Sequence, residues 1–370
     1  MAVSKKLKEI YFSFFEKPEL FAANAISKFQ EKRNLKKNLD KSYRLTKEQK
    51  KQIKDFWGSY CRVSPKWAQY YAAKNGRFDP RYIPNDLYYT KIDQHFNNRK
   101  LGYGFNDKNY YSKIFADIKQ PEIVVRKING FIFDKAYNVI SVELAKQKIL
   151  RFDEVICKPS QETGSGRGIL FFNSNAPEQI ESFLTDPQFD DYIVQRLVKQ
   201  HEELDKVHKG SLNCIRICSV LMDDGVHILS SVLRMGFGSS KVDNATAKDN
   251  KQYDGMSCGI DENGCLKKYA HGYTTGNASE THPDGLVFEG FKIPSYDKAV
   301  ELVKSAHPII GHFRLVSWDI AIDEAGDPVL IEANMRKGGI NFHQFNNGPL
   351  FGDLTERVLN EVFGRNAKCK

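Results

Sequence analysis

Seven cysteines lie scattered among the 370 residues. They form no CxxC pair and no regular framework, so thiols of a reducing cytoplasm are the expectation. No apolar run approaches the ~20 residues that span a bilayer. The first residues lack the apolar block and small-residue cleavage site of a secretion signal, and a cytoplasmic location is expected. The commonest phosphate-binding signatures are missing too: neither GxxxxGK[ST] nor GxGxxG occurs. Gly255-Met256-Ser257-Cys258-Gly259 fits GxSxG, but Asp261-Glu262-Asn263-Gly264 makes a turn where a nucleophile elbow needs a helix. His201-Glu202-Glu203-Leu204 begins like a zinc-protease HExxH, yet Asp205 stands where the second histidine belongs. Repeats and low-complexity tracts are absent.

What is present is unevenly placed. Residues 1–54 hold 15 Lys+Arg against 6 Asp+Glu, a net charge equal to the +9 of the whole chain. The remaining residues therefore sum to zero, and the basicity belongs to the N-terminal arm. Interleaving with Leu, Ile and Phe reads as a solvated helical face, with peripheral membrane contact through residues 1–54 as the alternative. Nucleic acid is not an expected partner.

Coarse patterning predicts helices over residues 4–75, including one capped by Thr46 with Gln49 at capping-box spacing. A Gly-, Pro- and Tyr-rich connector follows to Asn106. Asp107 opens a helix through Ile118. Strands are expected at Ile123–Lys127, Phe131–Phe133, Val155–Lys158, Ile169–Phe172 and Asp191–Val198, the last leading into a second lobe. Helices are expected at Ser141–Gln147 and Ala176–Leu184. A hairpin joins Cys214–Leu221 to Val226–Arg234, residues 236–292 read as loop-rich, and helices cover Ser295–His307 and Leu350–Phe363.

Three constellations carry chemistry. Trp318–Ile322 and Val329–Asn334 are strand-type runs separated by the turn formers Asp323–Pro328. Folding that hairpin about Ala325 and Gly326 sets Asp319 opposite Glu332, with Asn334 on the same face. Two facing carboxylates repel by roughly 3 kcal/mol at ~5 Å and an effective dielectric of ~20. A Mg²⁺ ion that keeps some waters would remove that penalty; a solvated hairpin face is the alternative. Second, a strand ending in Lys158 runs into Gly164-Ser165-Gly166-Arg167-Gly168 and out into another strand, which suits a flap over phosphates or an ordinary glycine-rich turn. Third, Arg216 and Arg234 come to lie roughly opposite each other and call for an anion between them, unless each pairs with its own surface carboxylate.

Together these residues resemble the ATP-grasp superfamily, most closely its sugar-transfer-associated branch, over about residues 40–360. The matching segments are Asn106-Asp107-Lys108, Val155-Ile156-Cys157-Lys158-Pro159 with its glycine loop, Ser211-Leu212-Asn213-Cys214-Ile215-Arg216, Trp318-Asp319 and Ile331-Glu332-Ala333-Asn334. The resemblance implies an α+β fold of two lobes sandwiching ATP behind a helical N-terminal region, divided as 1–105, 106–194 and 195–364. It implies that Lys108 and Lys158 bind phosphates under the Gly164–Gly168 flap, and that Gln195, Arg196 and Leu197 meet adenine. Glu202 or Glu203 would hold the ribose, and Asp319, Glu332 and Asn334 the magnesium. Arg216, Arg234 or Arg336 would stabilise the transferring phosphate, since Ser317 stands where several ligases of this fold have an arginine. The implied reaction is Mg-ATP-dependent joining of a carboxylate to an amine, both possibly sugar-linked, in surface polysaccharide biosynthesis. Asn213, the strip Lys337-Gly338-Gly339, His271 and His282 are the candidate substrate contacts. A kinase on the same fold, or a nucleotide-binding protein without turnover, is the alternative.

Overall fold

The computed structural model describes residues 17–161, 167–243, 255–273, 276–336 and 338–364. The expectations for Gly164, Ser165, Gly166 and Lys337 lie outside the described residues. Two compact units form, residues 1–96 with 347–370, and residues 97–346.

The first unit is built from helices α1 (Lys17–Asn38), α2 (Lys47–Gly58) and α3 (Pro65–Asn75). The capping box opening α2 is complete. Thr46 Oγ1 accepts from the Gln49 amide at 3.1 Å and Gln49 Oε1 from the Thr46 amide at 2.9 Å, satisfying two otherwise orphaned donors. Helix α3 starts on a Ser64 cap with Pro65 in its first turn and stops at Gly76, whose φ of 76° suits glycine. The expected connector after it is richer than the Pro and Gly signals imply: short helical turns run from Asn85 to Phe96. They bury Tyr88, Ile92 and Phe96. The C-terminal helix is shorter than expected, Thr355–Phe363, because a tight turn at Gly352–Leu354 precedes it.

In the second unit, Asp107 caps its turn by accepting from the Asn109 amide at 2.9 Å. The helix expected through Ile118 ends after Ile114, where Gln120 Nε2 donates to the Phe115 carbonyl at 2.8 Å and closes the chain end. Then come β1 (Ile123–Ile128), β2 (Phe131–Phe133), α4 (Val142–Ile149), β3 (Glu154–Pro159), β4 (Leu170–Asn173), α5 (Pro177–Thr185) and β5 (Tyr192–Arg196). Among the described residues these strands make an antiparallel sheet of order β2-β1-β5-β3-β4. Strand β5 is thus the centre of the first sheet. Ala145 and Ile149 of α4 and Ile180, Phe183 and Leu184 of α5 share its core.

A second sheet has the order β10-β9-β8-β7-β6-β11-β12. Its members are β6 (Cys214–Met222), β7 (Gly225–Met235), β8 (Met256–Ile260), β9 (Leu266–Gly272), β10 (Ala278–Ser279), β11 (Leu315–Ile322) and β12 (Pro328–Asn334). Strands β8 and β9 correct the loop-rich reading of 236–292. Their Gly and Lys content hides a strand pattern that pairing against β7 supplies. The serine of the GxSxG match, Ser257, lies inside β8 and is buried. Alternation sends Ile215, Ile217, Leu233, Met235, Trp318 and Ile320 to one face, where α6 (Tyr296–Ala306) packs. The other face is free to carry chemistry. All six described cysteines are free thiols, and no described helix is long and apolar enough to cross a membrane.

Candidate active site

The register of β11 is anchored from the core side. Trp318 is fully buried, its Nε1 donates to Ser219 Oγ at 2.8 Å, and its ring meets Phe115 edge-on. That lock leaves Asp319 on the opposite face, directly across from Glu332, as the hairpin spacing predicts. Asn334 pairs with Ser317 one step along the same face. The pairing slips between Asp319 and Ile320, inserting one extra residue in β12 at Ile331. Leu330 and Ala333 therefore both reach the core while Ile331 lines a cleft.

A second bulge brings the arginines together. The β6–β7 pairing starts at Met222 opposite Gly225 and shifts between Cys218 and Ser219. Without the extra residue, Arg234 would point to the face away from Arg216, because one step of register inverts every side chain. With it, Arg216 pairs with Val232 and Arg234 with Cys214, so the two are diagonal neighbours on one face. The rough opposition expected from the turn is thus a diagonal one. Arg216 is also the cross-strand partner of Asp319 on its other side.

The anion between the arginines is Asp319 itself. Arg216 Nε and Nη2 donate to its two oxygens, each at 2.5 Å, and Arg234 Nη1 donates to Oδ2 at 3.1 Å. Burial raises the Asp319 carboxyl, but the two guanidiniums outweigh it and hold the group below its ordinary value. Arg234 also reaches Asp243 at 3.3 Å and the Tyr273 hydroxyl at 3.2 Å. Burial, reinforced by Asp319, keeps the Asp243 carboxyl above its ordinary value despite Arg234. Glu332 is paired with Lys108 at 2.7 Å. The Lys108 amide donates to the Ser160 carbonyl, which ties that lysine to the end of β3. Lys158 has its ammonium pushed down, first by burial and then by Lys108.

Beside this face opens a cleft of about 630 Å³ lined from both sheets. Lys158, Arg196, Leu197 and Glu202 border it, with Ile156, Phe171, Leu212 and Ile331 giving apolar walls wide enough for an aromatic base. Gln195 is buried within β5, and Glu203 faces solvent on Lys206 at 2.6 Å. Lys241 spans the cleft, 2.6 Å from Glu154 and 4.9 Å from the Phe171 ring centre. At the flap's far end Arg167 is exposed. Gly168 has a φ of 80° and its carbonyl accepts from the Tyr192 hydroxyl at 3.1 Å.

The remaining candidates separate clearly. Gly338 lies so close to Ser317 that a Cβ would meet its hydroxyl at 2.5 Å, which seats the Gly338-Gly339 strip on the Asp319 face. Arg336 stacks on Tyr103, 3.9 Å from the ring centre, next to Gly102. His271 joins the far end of the row: it pairs with Ser257, itself opposite Arg234, and bonds Asn346 Oδ1 at 2.8 Å. Asn213 and His282 are not brought here. The Asn213 amide is spent on Leu204 and His208 carbonyls at 3.0 and 2.7 Å, and His282 bonds the Gly236 carbonyl at 2.9 Å. Sequence reasoning missed Asp243, Tyr273, Phe342 and His343, which border the arginines. Phe342 sits 5.7 Å from the Arg216 guanidinium, and His343 bonds Ser230 Oγ at 2.8 Å. Their residue types carry no motif, and only the fold assembles them.

Two antiparallel sheets flanking a cleft, with paired carboxylates on one floor and lysines opposite, are ATP-grasp architecture. The model of the sugar-transfer associated ATP-grasp family matches residues 88–360, and the chain belongs to that family. Similar solved structures include the ATP-grasp ligase PsnB complexed with a minimal precursor, at 12% identity and a TM-score of 0.42, covering 72% of this chain and 64% of that one. D-alanyl-alanine synthetase A from Vibrio cholerae is similar at 13% identity and TM-score 0.41, covering 70% and 65%. L-amino acid ligase from Bacillus licheniformis is similar at 13% and 0.38, covering 70% and 47%. The chain thus spans less than two thirds of the length of each. No curated protein matches it in sequence.

Proposed function

We propose that this protein is a Mg-ATP-dependent ligase that joins a carboxylate to an amine through an acyl phosphate. Residues 106–194 and 195–364 act as the two lobes about the nucleotide. The observation that carries the reading is the facing of Asp319 and Glu332, with Asn334 beside them, at the edge of a base-sized cleft lined by Lys158. Two carboxylates and an amide oxygen are the all-oxygen donor set that magnesium prefers, so these three residues would hold it. When bound, the ion neutralises charge on the phosphates. Lys108 and Lys158 then bind phosphate oxygens, and Arg216 and Arg234, exchanging part of their hold on Asp319, stabilise charge on the group in flight. The Gly338-Gly339 strip holds the acyl group. No protein nucleophile is required, because orientation and charge stabilisation carry the reaction.

The family's sugar-transfer association supports a sugar-linked substrate; we place the reaction in surface polysaccharide biosynthesis, for example a uronic acid or an amino sugar joined to an amino acid. Incubation with ATP, Mg²⁺, a panel of uronates and hydroxylamine tests the chemistry. A trapped hydroxamate accompanying ADP release supports the ligase. ADP release with a phosphorylated sugar and no hydroxamate establishes a kinase instead. No turnover with any pair, combined with tight ATP binding, leaves a nucleotide-binding protein.

A further inference from the structure

The net positive charge of this chain sits in its first 54 residues, and α1 shows how it is displayed. Between residues 22 and 38 there is one acid, Glu31, and it is drawn inward, accepting from Asn85 Nδ2 at 2.6 Å. One helical repeat earlier, Asn24 Oδ1 accepts from Gln94 Nε2 at 2.5 Å, and one turn later Leu35 is buried. Those three positions fix the side that α1 turns to its own unit. The opposite side carries Ile26 and Phe29, 58% and 68% exposed, one turn apart. Arg33, Lys36 and Lys37, all exposed, surround and continue that strip, while Lys28 and Lys32 lie on its flank toward Asp86.

Phe29 is the most exposed large hydrophobic side chain among the described residues, and it and Ile26 are the only such pair in the first unit. Trp57, Trp67, Tyr71 and Tyr82 of the same unit are buried. A face that is apolar at its centre, basic around it and free of acid matches one surface chemistry: anionic headgroups over an acyl layer. A second copy of α1 would bring like charge against like. A nucleic acid would reward the lysines but leave a branched aliphatic side chain without a partner.

We propose that α1 docks on an anionic lipid surface, with Ile26 and Phe29 entering the boundary between headgroups and acyl chains and the lysines and Arg33 lying at phosphate level. Docking requires no step of the ligase reaction and stands or falls separately from it. The test is cosedimentation of the full chain with phosphatidylcholine vesicles containing roughly 30 mol% phosphatidylglycerol, against phosphatidylcholine alone and against duplex DNA. The chain should bind the anionic vesicles, ignore the neutral ones and detach as salt rises. Ile26→Ser with Phe29→Ser should lower the bound-to-free ratio about tenfold or more. Arg33→Glu with Lys36→Glu should do the same, and all four sites are exposed, so helix content and denaturation midpoint should hold. Failure to bind anionic vesicles, equal binding to neutral ones, retention by both double variants, or preference for DNA overturns the proposal.

Discussion

The two sheets bury cations in opposite ways. In the first, Arg126 of β1 is fully buried and held almost wholly by backbone: its guanidinium donates to the carbonyls of Asn109, Asp134 and Lys135 at 2.9–3.0 Å and to Ser112 Oγ at 2.6 Å. Tyr137 covers it at 4.0 Å. Its neighbour Lys127 donates to the Asp186 carbonyl at 2.9 Å. Burial pushes both groups down, and nothing nearby fully compensates. In the second sheet Arg234 is raised well above its ordinary value, because Asp243, Tyr273 and Asp319 outweigh burial. A backbone carbonyl cannot leave its cation without unfolding something, whereas a carboxylate can change partners. The first arrangement is scaffold and the second is exchangeable, as the proposed binding of phosphate and metal would require.

Breaking the second arrangement should have the largest effect. Asp319→Asn leaves two buried guanidiniums facing a neutral amide and should lower unfolding free energy by about 3–5 kcal/mol in a denaturant titration. Adding Arg216→Gln should restore part of that loss, because the two residues share one interaction. A double variant as unstable as the sum of the singles would refute the coupling. Arg126→Leu should cost about 3 kcal/mol, one for each abandoned carbonyl. No single side-chain change should rescue it, and recovery by any one partner substitution would show that the β1 cation is also side-chain held.

The smallest effect appears in acid. His307 is buried and neutral, bonding Ser219 Oγ at 2.8 Å and the Phe313 carbonyl at 3.0 Å, and burial pushes it from 6.5 down to about 4. Below pH 6.5 the unfolded chain takes up a proton that the folded chain refuses. The stability this histidine contributes is therefore complete above pH 6.5 and falls by up to about 1.4 kcal/mol per pH unit toward pH 4. A His307→Gln variant should show a flatter acid limb over that window. An unchanged limb would place the proton uptake elsewhere.

Where local chemistry decides, the sequence was readable. The Thr46–Gln49 box and the Ser141-capped helix follow from short-range spacing, whereas the expected Asp319–Glu332 pair is reached through the bulge at Ile331, since the turn itself pairs Ile322 with Pro328. Where a long-range partner decides, it was not. Strands β8 and β9 become strands by pairing with a neighbour, and the two bulges are invisible in residue type yet determine which side chains share a face. The turn formers between β11 and β12 say nothing of Arg234, whose place beside Asp319 depends on the bulge between β6 and β7. It likewise conceals that Asn213 serves to hold a loop.

Lys241 and Glu154 meet across the opening of the cleft, and their side chains are 51% and 33% exposed. An ion pair in that position is weak and easily screened. Added salt should loosen that bridge while leaving the walls unchanged, so the width of the mouth depends on the surrounding solution as well as on the protein.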